Sequence, residues 1–197
     1  MAVMTKLTTY NLQPTTNSGF TLIEMLVAVL IVGILGVVGT NSLFSLLRGA
    51  SKTENIKEIK QNGDYALYVM EVKLRNGRDI TSGCAGSATN TLTILNPDDT
   101  TRTEYSCAIY GTIRRIREEV RNNVTGVLIG NTNYLTNTTV TLAAANCTSA
   151  NFYTCTEAPT SGLKTVSINF SLQQSGTVPT PESAQLTFKT QVSLRNQ

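Results

Sequence analysis

The sequence predicts an α+β fold, with one long N-terminal helix packed on an antiparallel β-sheet head. Three observations carry that prediction. From Met25 to Gly39 no charged or polar residue occurs. Beyond Thr53, Ile56, Ile59, Ala66, Met70 and Leu74 recur at three- and four-residue steps or multiples of them, the period of one helix face. Beyond Gly77 the apolar residues alternate in short runs between turn residues, the period of strands. The length of 197 residues favours one domain.

Composition narrows the function classes. Apolar residues make up 41% and charged residues 15%, which excludes a disordered polyelectrolyte and a multi-span membrane protein. The net charge of +3, from 16 basic and 13 acidic residues, is too mild to argue for nucleic acid as the main partner. The chain has no histidine, which removes every His-based triad, general base and metal site. It shows no Gly-rich phosphate loop, no nucleophile–base pair and no internal repeat.

The first element is apolar. Residues 1–19 are polar, with one charge, Lys6. The composition changes at Gly19-Phe20. Phe20, Leu22 and Ile23 before Met25, and Leu43, Phe44, Leu46 and Leu47 after Gly39, extend the apolar run to membrane length, since about 20 helical residues cross ~30 Å of hydrocarbon. Thr21, Glu24, Thr40, Asn41 and Ser42 interrupt it. A secretory signal peptide would have a more basic start and a small-residue cleavage site after the core; neither is present. A plain anchor would not carry the Glu24 carboxylate near its start without a partner, since an ionisable group at membrane depth is costly.

The string Ser18-Gly19-Phe20-Thr21-Leu22-Ile23-Glu24, opening a long apolar helix, resembles the processing site of type IV prepilins and pseudopilins. The resemblance covers Gly19 to about Leu47. It implies that prepilin peptidase cuts between Gly19 and Phe20 and N-methylates Phe20, and that the apolar helix is retained. It further implies that Glu24 neutralises an N-terminal amine, its own or a neighbour's, and so sets the register of assembly. The implied partners are the peptidase, other pilin subunits, a membrane assembly platform and the cytoplasmic membrane. The methyl donor is a cofactor of the peptidase, and the chain needs none of its own. The leader is long and weakly basic for the family, which leaves the start codon open; the absence of a Pro that kinks the apolar segment leans toward a minor pilin or a pseudopilin. Gly33, Gly36 and Gly39 either allow close helix approach or loosen the helix.

The expected organisation is a removed leader (1–19), a membrane and filament-core helix (20–47), its amphipathic continuation (48–76) and a β-rich head (77–197). From Phe20 to Arg75 such a helix runs roughly 84 Å, which suits a pilin-like lollipop. Gly63 weakens the helix without ending it, and Asn76-Gly77 is its stop. In the head, Thr91–Leu95, Arg102–Tyr110, Thr112–Arg117, Lys164–Leu172 and Ala184–Leu194 read as strands of one antiparallel sheet, with Val124–Ile129 pairing nearby. Asn96-Pro97-Asp98-Asp99 and Gly111 mark turns, and Pro179 and Pro181 lie in the last loop. The final stretch, Phe188–Asn196, resembles the closing strand of minor pilins.

All four cysteines, Cys84, Cys107, Cys147 and Cys155, follow the apolar segment, as export to an oxidising compartment requires. They allow three pairings; the simplest is local, Cys84–Cys107 with Cys147–Cys155. No C-x₂₋₄-C pair favours zinc. Arg114, Arg115, Arg117 and Arg121, with Glu118 and Glu119 among them, are either a solvated strand edge or a site for DNA or anionic glycans. Asn123, Asn137 and Asn146 head sequons that carry no weight in a bacterial chain.

These readings favour a non-enzymatic structural subunit, inserted in the inner membrane with its head outside and then built into a surface filament. The filament is an adhesive or motile pilus, a DNA-uptake filament or a type II secretion pseudopilus. A membrane-anchored surface binding protein that never polymerises, and an exported enzyme, are the competing classes; the missing histidine weighs against the latter.

Overall fold

The computed structural model describes residues 19–82, 84–148, 152–176 and 183–194. The leader up to Ser18, the loop residues Pro179, Pro181 and Glu182, and Asn196 at the end of the last expected strand lie outside the described residues.

Helix α1 (Leu22–Asn76) starts two residues after Phe20 and stops where Asn76-Gly77 predicts. At the stop, the Gly77 N–H bonds the Leu74 carbonyl at 3.3 Å. The backbone divides into two compact units, one ending at Ser45 and one beginning at Leu46. In the first unit every described residue is exposed. Its hydroxyls are satisfied within the helix. Thr40 donates to the Gly36 carbonyl at 2.7 Å, Ser42 to Val38 at 3.0 Å and Ser45 to Asn41 at 3.1 Å. Back-bonding of this kind removes most of the penalty for a hydroxyl in an apolar setting.

In the second unit the helix has one buried stripe, Ile59, Gly63, Ala66, Met70 and Leu74. Ile56 stays 37% exposed, so the stripe begins one turn later than its spacing predicts. Gly63 is where a strand makes its closest approach. A Cβ added there would lie 2.1 Å from Cζ of Phe188, so glycine is required by packing rather than merely tolerated.

The strands are β1 (Asp79–Ile80), β2 (Ala85–Thr89), β3 (Thr91–Leu95), β4 (Thr101–Tyr110), β5 (Ile113–Asn122), β6 (Asn133–Tyr134), β7 (Val140–Leu142), β8 (Tyr153–Glu157), β9 (Lys164–Gln174) and β10 (Gln185–Ser193), with a short helix α2 (Ala144–Thr148) before β8. They form the antiparallel β head expected from sequence, divided into two sheets. One has the order β1-β3-β4-β5-β6. The other has the order β10-β9-β8-β2, with β7 also pairing β9. All pairs are antiparallel. Between β5 and β7 the sheets meet through a bond from the Arg114 N–H to the Thr141 hydroxyl at 2.9 Å. The chain visits the second sheet at β2 and returns at β3. That excursion was hidden because β2 reads Ala-Gly-Ser-Ala-Thr, which has no apolar alternation.

Both sheets contribute to one core. Leu92, Ile94, Tyr105 and Ile116 come from the first sheet, Val166, Ile168, Phe170 and Leu172 from the second, and all cluster with the helix stripe. Phe152, Phe170 and Phe188 form an aromatic row with successive ring centroids 5.3 Å apart, near the favoured stacking distance. The row ends at Gly63.

Val124–Ile129 is not a strand. It makes an isolated bridge at Arg121–Leu128. The Asn122 side chain accepts the Val124 and Thr125 N–H groups at 3.0 and 2.9 Å, and this turn folds the segment back to pair with the end of β5 as expected, with the Asn122 N–H on the Val127 carbonyl at 2.8 Å and the Ile129 N–H on the Val120 carbonyl at 2.7 Å.

Candidate processing and assembly site

The segment Gly19 to Glu24 passes from extended chain into helix. Gly19, Phe20 and Thr21 precede the first helical residue. The Thr21 carbonyl accepts the Glu24 N–H at 3.1 Å and the Met25 N–H at 3.2 Å. The Thr21 hydroxyl also accepts the Glu24 N–H, at 3.3 Å. Thr21 is therefore the N-cap and Glu24 the third helical residue, the spacing of a capping box. Sequence reasoning overlooked Thr21, although Thr-x-x-Glu before an apolar run is the signal for it. The cap holds the helix start beside Gly19-Phe20 and leaves that peptide outside the helix. Phe20 is 76% exposed, and Gly19 is exposed, so this bond is open to a protease.

Glu24 sits in the first turn of α1, where the helix dipole favours a carboxylate. It is exposed, as are its neighbours. Beyond it, Leu22 to Leu47 presents apolar side chains around the full circumference; Leu30, Leu35 and Leu46 are each more than half exposed. A helix apolar on all sides is covered by lipid or by other helices. This one is long and apolar enough to cross a membrane. A Cβ added at Gly33, Gly36 or Gly39 would meet no atom within 4 Å.

The four cysteines are paired, but not locally. Cys84 bonds Cys155 and Cys107 bonds Cys147, with Cα–Cα distances of 4.5 and 5.5 Å. The expected pairs Cys84–Cys107 and Cys147–Cys155 are corrected because β2 lies beside β8, which brings Cys84 to Cys155. Cys107 on β4 meets Cys147 on α2. The separations are 71 and 40 residues, so each bridge closes a long loop, worth about 4 kcal/mol in the chain-entropy model. One bridge pins the edge strand β2, and the other joins β4 of the first sheet to α2, which lies between β7 and β8 of the second. Asn146 of one sequon is buried and accepts the Ser171 N–H at 3.0 Å; its role is to hold α2 on β9.

The arginine cluster is largely neutralised internally. Arg117 and Arg121 flank Glu119 at 3.4 and 2.5 Å, and Arg121 reaches Glu104 at 3.6 Å. Glu119 is 5% exposed and also accepts the Thr132 hydroxyl at 3.1 Å. Burial pushes its carboxyl up; the Arg121 bond, the Arg117 charge and Thr132 outweigh that and hold it below the ordinary carboxylate range. Asp79 behaves likewise. Burial raises it, while the bond from Lys164 at 2.6 Å, the Ile80 N–H and the Lys164 charge bring it down. The burial of Glu119 was invisible in sequence because it depends on the 132–136 segment folding over β5.

Comparison with protein families supports the reading of the first helix. Residues 15–40 match the prokaryotic N-terminal methylation motif. This is the type IV prepilin-like signal. No curated protein and no solved structure matches the chain. The motif implies processing by prepilin peptidase and assembly with other pilins, and it supports a type IV pilin-like or pseudopilin subunit. Chains of that kind are structural subunits. The prepilin-like signal and the long apolar helix together fit membrane anchoring followed by residence in a filament.

Proposed function

We propose that the chain is a minor structural subunit of a type IV pilus-like filament. Prepilin peptidase cuts between Gly19 and Phe20, methylates the new amine, and leaves the head outside the inner membrane until the subunit is extracted into the filament. The observation that supports this best is the junction of the two features: the processing signal opens directly onto a capped helix that is apolar on every side. Burial of that surface among neighbouring helices supplies the cohesion. Glu24, three residues into the helix, supplies the register by pairing with the Phe20 amine of a neighbour, because an unpaired carboxylate in such a bundle is strongly destabilising.

The test is intact mass and N-terminal sequencing of the protein from native membranes and from sheared surface filaments. A chain starting at N-methylated Phe20 in both fractions is the expected result. The same start in membranes alone favours a secretion pseudopilin. A chain starting at Met1 or beyond about Thr40 overturns the reading. Glu24→Val is expected to be processed normally yet to drop out of filaments, and normal incorporation would refute the register role.

A further inference from the structure

Of the four arginines on β5, Arg115 is built differently. Arg117 and Arg121 are committed to Glu119 and Glu104, while Nε of Arg114 is buried without a hydrogen-bond partner among the described residues, so nothing there orients its guanidinium as Arg115's is oriented. The Arg115 Nε donates to the Thr136 carbonyl at 2.7 Å, and its guanidinium lies 4.2 Å from the centroid of the Tyr134 ring. These two contacts fix the plane of the fork. Its terminal nitrogens take no protein hydrogen bond among the described residues, so an oriented cationic edge is left over. Such an edge matches the two oxygens of a carboxylate.

Arg115 lines a cleft of about 260 Å³ together with Ala108, Tyr110, Ile113, Tyr134 and Thr138. The cross-strand pairs Ala108–Arg115 and Tyr110–Ile113 place these side chains on the outer face of the first sheet, at the tip of the β4–β5 hairpin. Ala108 leaves the floor low. Tyr110 is 83% exposed, an unusual position for so large a ring with no structural use. None of the six lining residues is acidic. The volume lies below the about 300–1,000 Å³ that houses drug-sized ligands, so one ring-sized group fits. Two tyrosines and a threonine in the lining supply aromatic surface and hydroxyls of the kind that match the apolar C–H face and hydroxyl rim of a pyranose.

We propose that this cleft binds a single acidic sugar residue, its carboxylate on the free edge of Arg115 and its ring against Tyr110 and Tyr134. The site uses an arginine of the β5 cluster that the internal ion pairs leave available.

The experiment titrates the full chain in detergent micelles with glucuronate, glucose and benzoate, by calorimetry. Glucuronate is expected to bind, with glucose and benzoate each weaker by about tenfold or more, the worth of one charge-assisted bond or one lost set of hydroxyl contacts. Arg115→Gln is expected to weaken glucuronate about tenfold, and Tyr110→Ala about threefold. Tyr110 is so exposed that its variant cannot fail for want of folding, and a thermal melt matching the parent checks Arg115→Gln. No glucuronate binding at about 10 mM, glucose or benzoate binding as well as glucuronate, or an unchanged affinity in Tyr110→Ala would each overturn the proposal.

Discussion

The two stretches of α1 share one secondary structure and have opposite surroundings. From Leu22 to Ser45 the helix is exposed and apolar on every side; from Leu46 to Asn76 it buries one stripe and solvates the rest. The glycines make the contrast concrete. A side chain at Gly36 would meet open space, whereas one at Gly63 would collide with Phe188. The same residue type is a free surface feature in one stretch and a packing requirement in the other. Helix propensity is therefore a poor guide to function here. What matters is what covers each face: side chains of the head cover the stripe of the second stretch, whereas the first stretch is apolar and exposed on every side.

The largest expected effects lie in the head. Replacing Cys84 and Cys155 together by Ser is expected to destabilise the head by about 4 kcal/mol, read by denaturant unfolding, while α-helical content of the apolar stretch in detergent stays unchanged. Next, Met70→Ala is expected to cost about 3 kcal/mol, because Met70 is fully buried and its sulfur meets the Tyr153 hydroxyl at 3.5 Å. Leu30→Ala should leave the same unfolding curve in place. Equal shifts for the two variants would mean that both stretches are packed alike.

Gly63→Ala sharpens the contrast. It is expected to lose about 2 kcal/mol through the clash with Phe188. Gly36→Ala should instead favour helix by up to about 1 kcal/mol, seen as raised helicity in detergent. If Gly63→Ala also stabilised, the close approach to Phe188 would be wrong.

The smallest effect is the pH dependence of the head. Asp79 and Glu119 have ordinary values of 3.8 and 4.5, and both are lowered in the folded chain. A lowered carboxyl binds its proton more readily when unfolded. Its contribution is thus present above those values and lost as pH falls through the folded ones. The melting temperature is expected to hold from about pH 6 down to about pH 5 and to fall below about pH 4. Glu119→Gln should flatten that acid limb.

Much of the molecule was legible in order along the chain. The stop at Asn76-Gly77, the strands β3, β4, β9 and β10 and the turn at Asn96–Asp99 follow from local chemistry: period, turn residues and a helix terminator. The processing signal is equally local, since its register with the apolar run can be read in one line. The N-cap role of Thr21 is local too, since Thr-x-x-Glu before an apolar run is its signal.

The remainder was decided by residues far apart. The cysteines pair across 71 and 40 positions because β2, which carries almost no sequence signal, docks beside β8. Four arginines within eight residues look like a basic patch. Yet Glu119 sits between two of them on the same face of β5, and Glu104 joins from β4, so half of the cluster is spent internally. Gly63 looks like a weak point in a helix until Phe188 arrives from a strand 125 positions later. Local sequence is enough for the long helix, the strands β3, β4, β9 and β10 and the processing signal, because those depend on neighbours within a few residues. Tertiary structure alone decided the second sheet, the disulfide partners, the use of each arginine and the need for Gly63, because each depends on which surfaces meet once the core is buried.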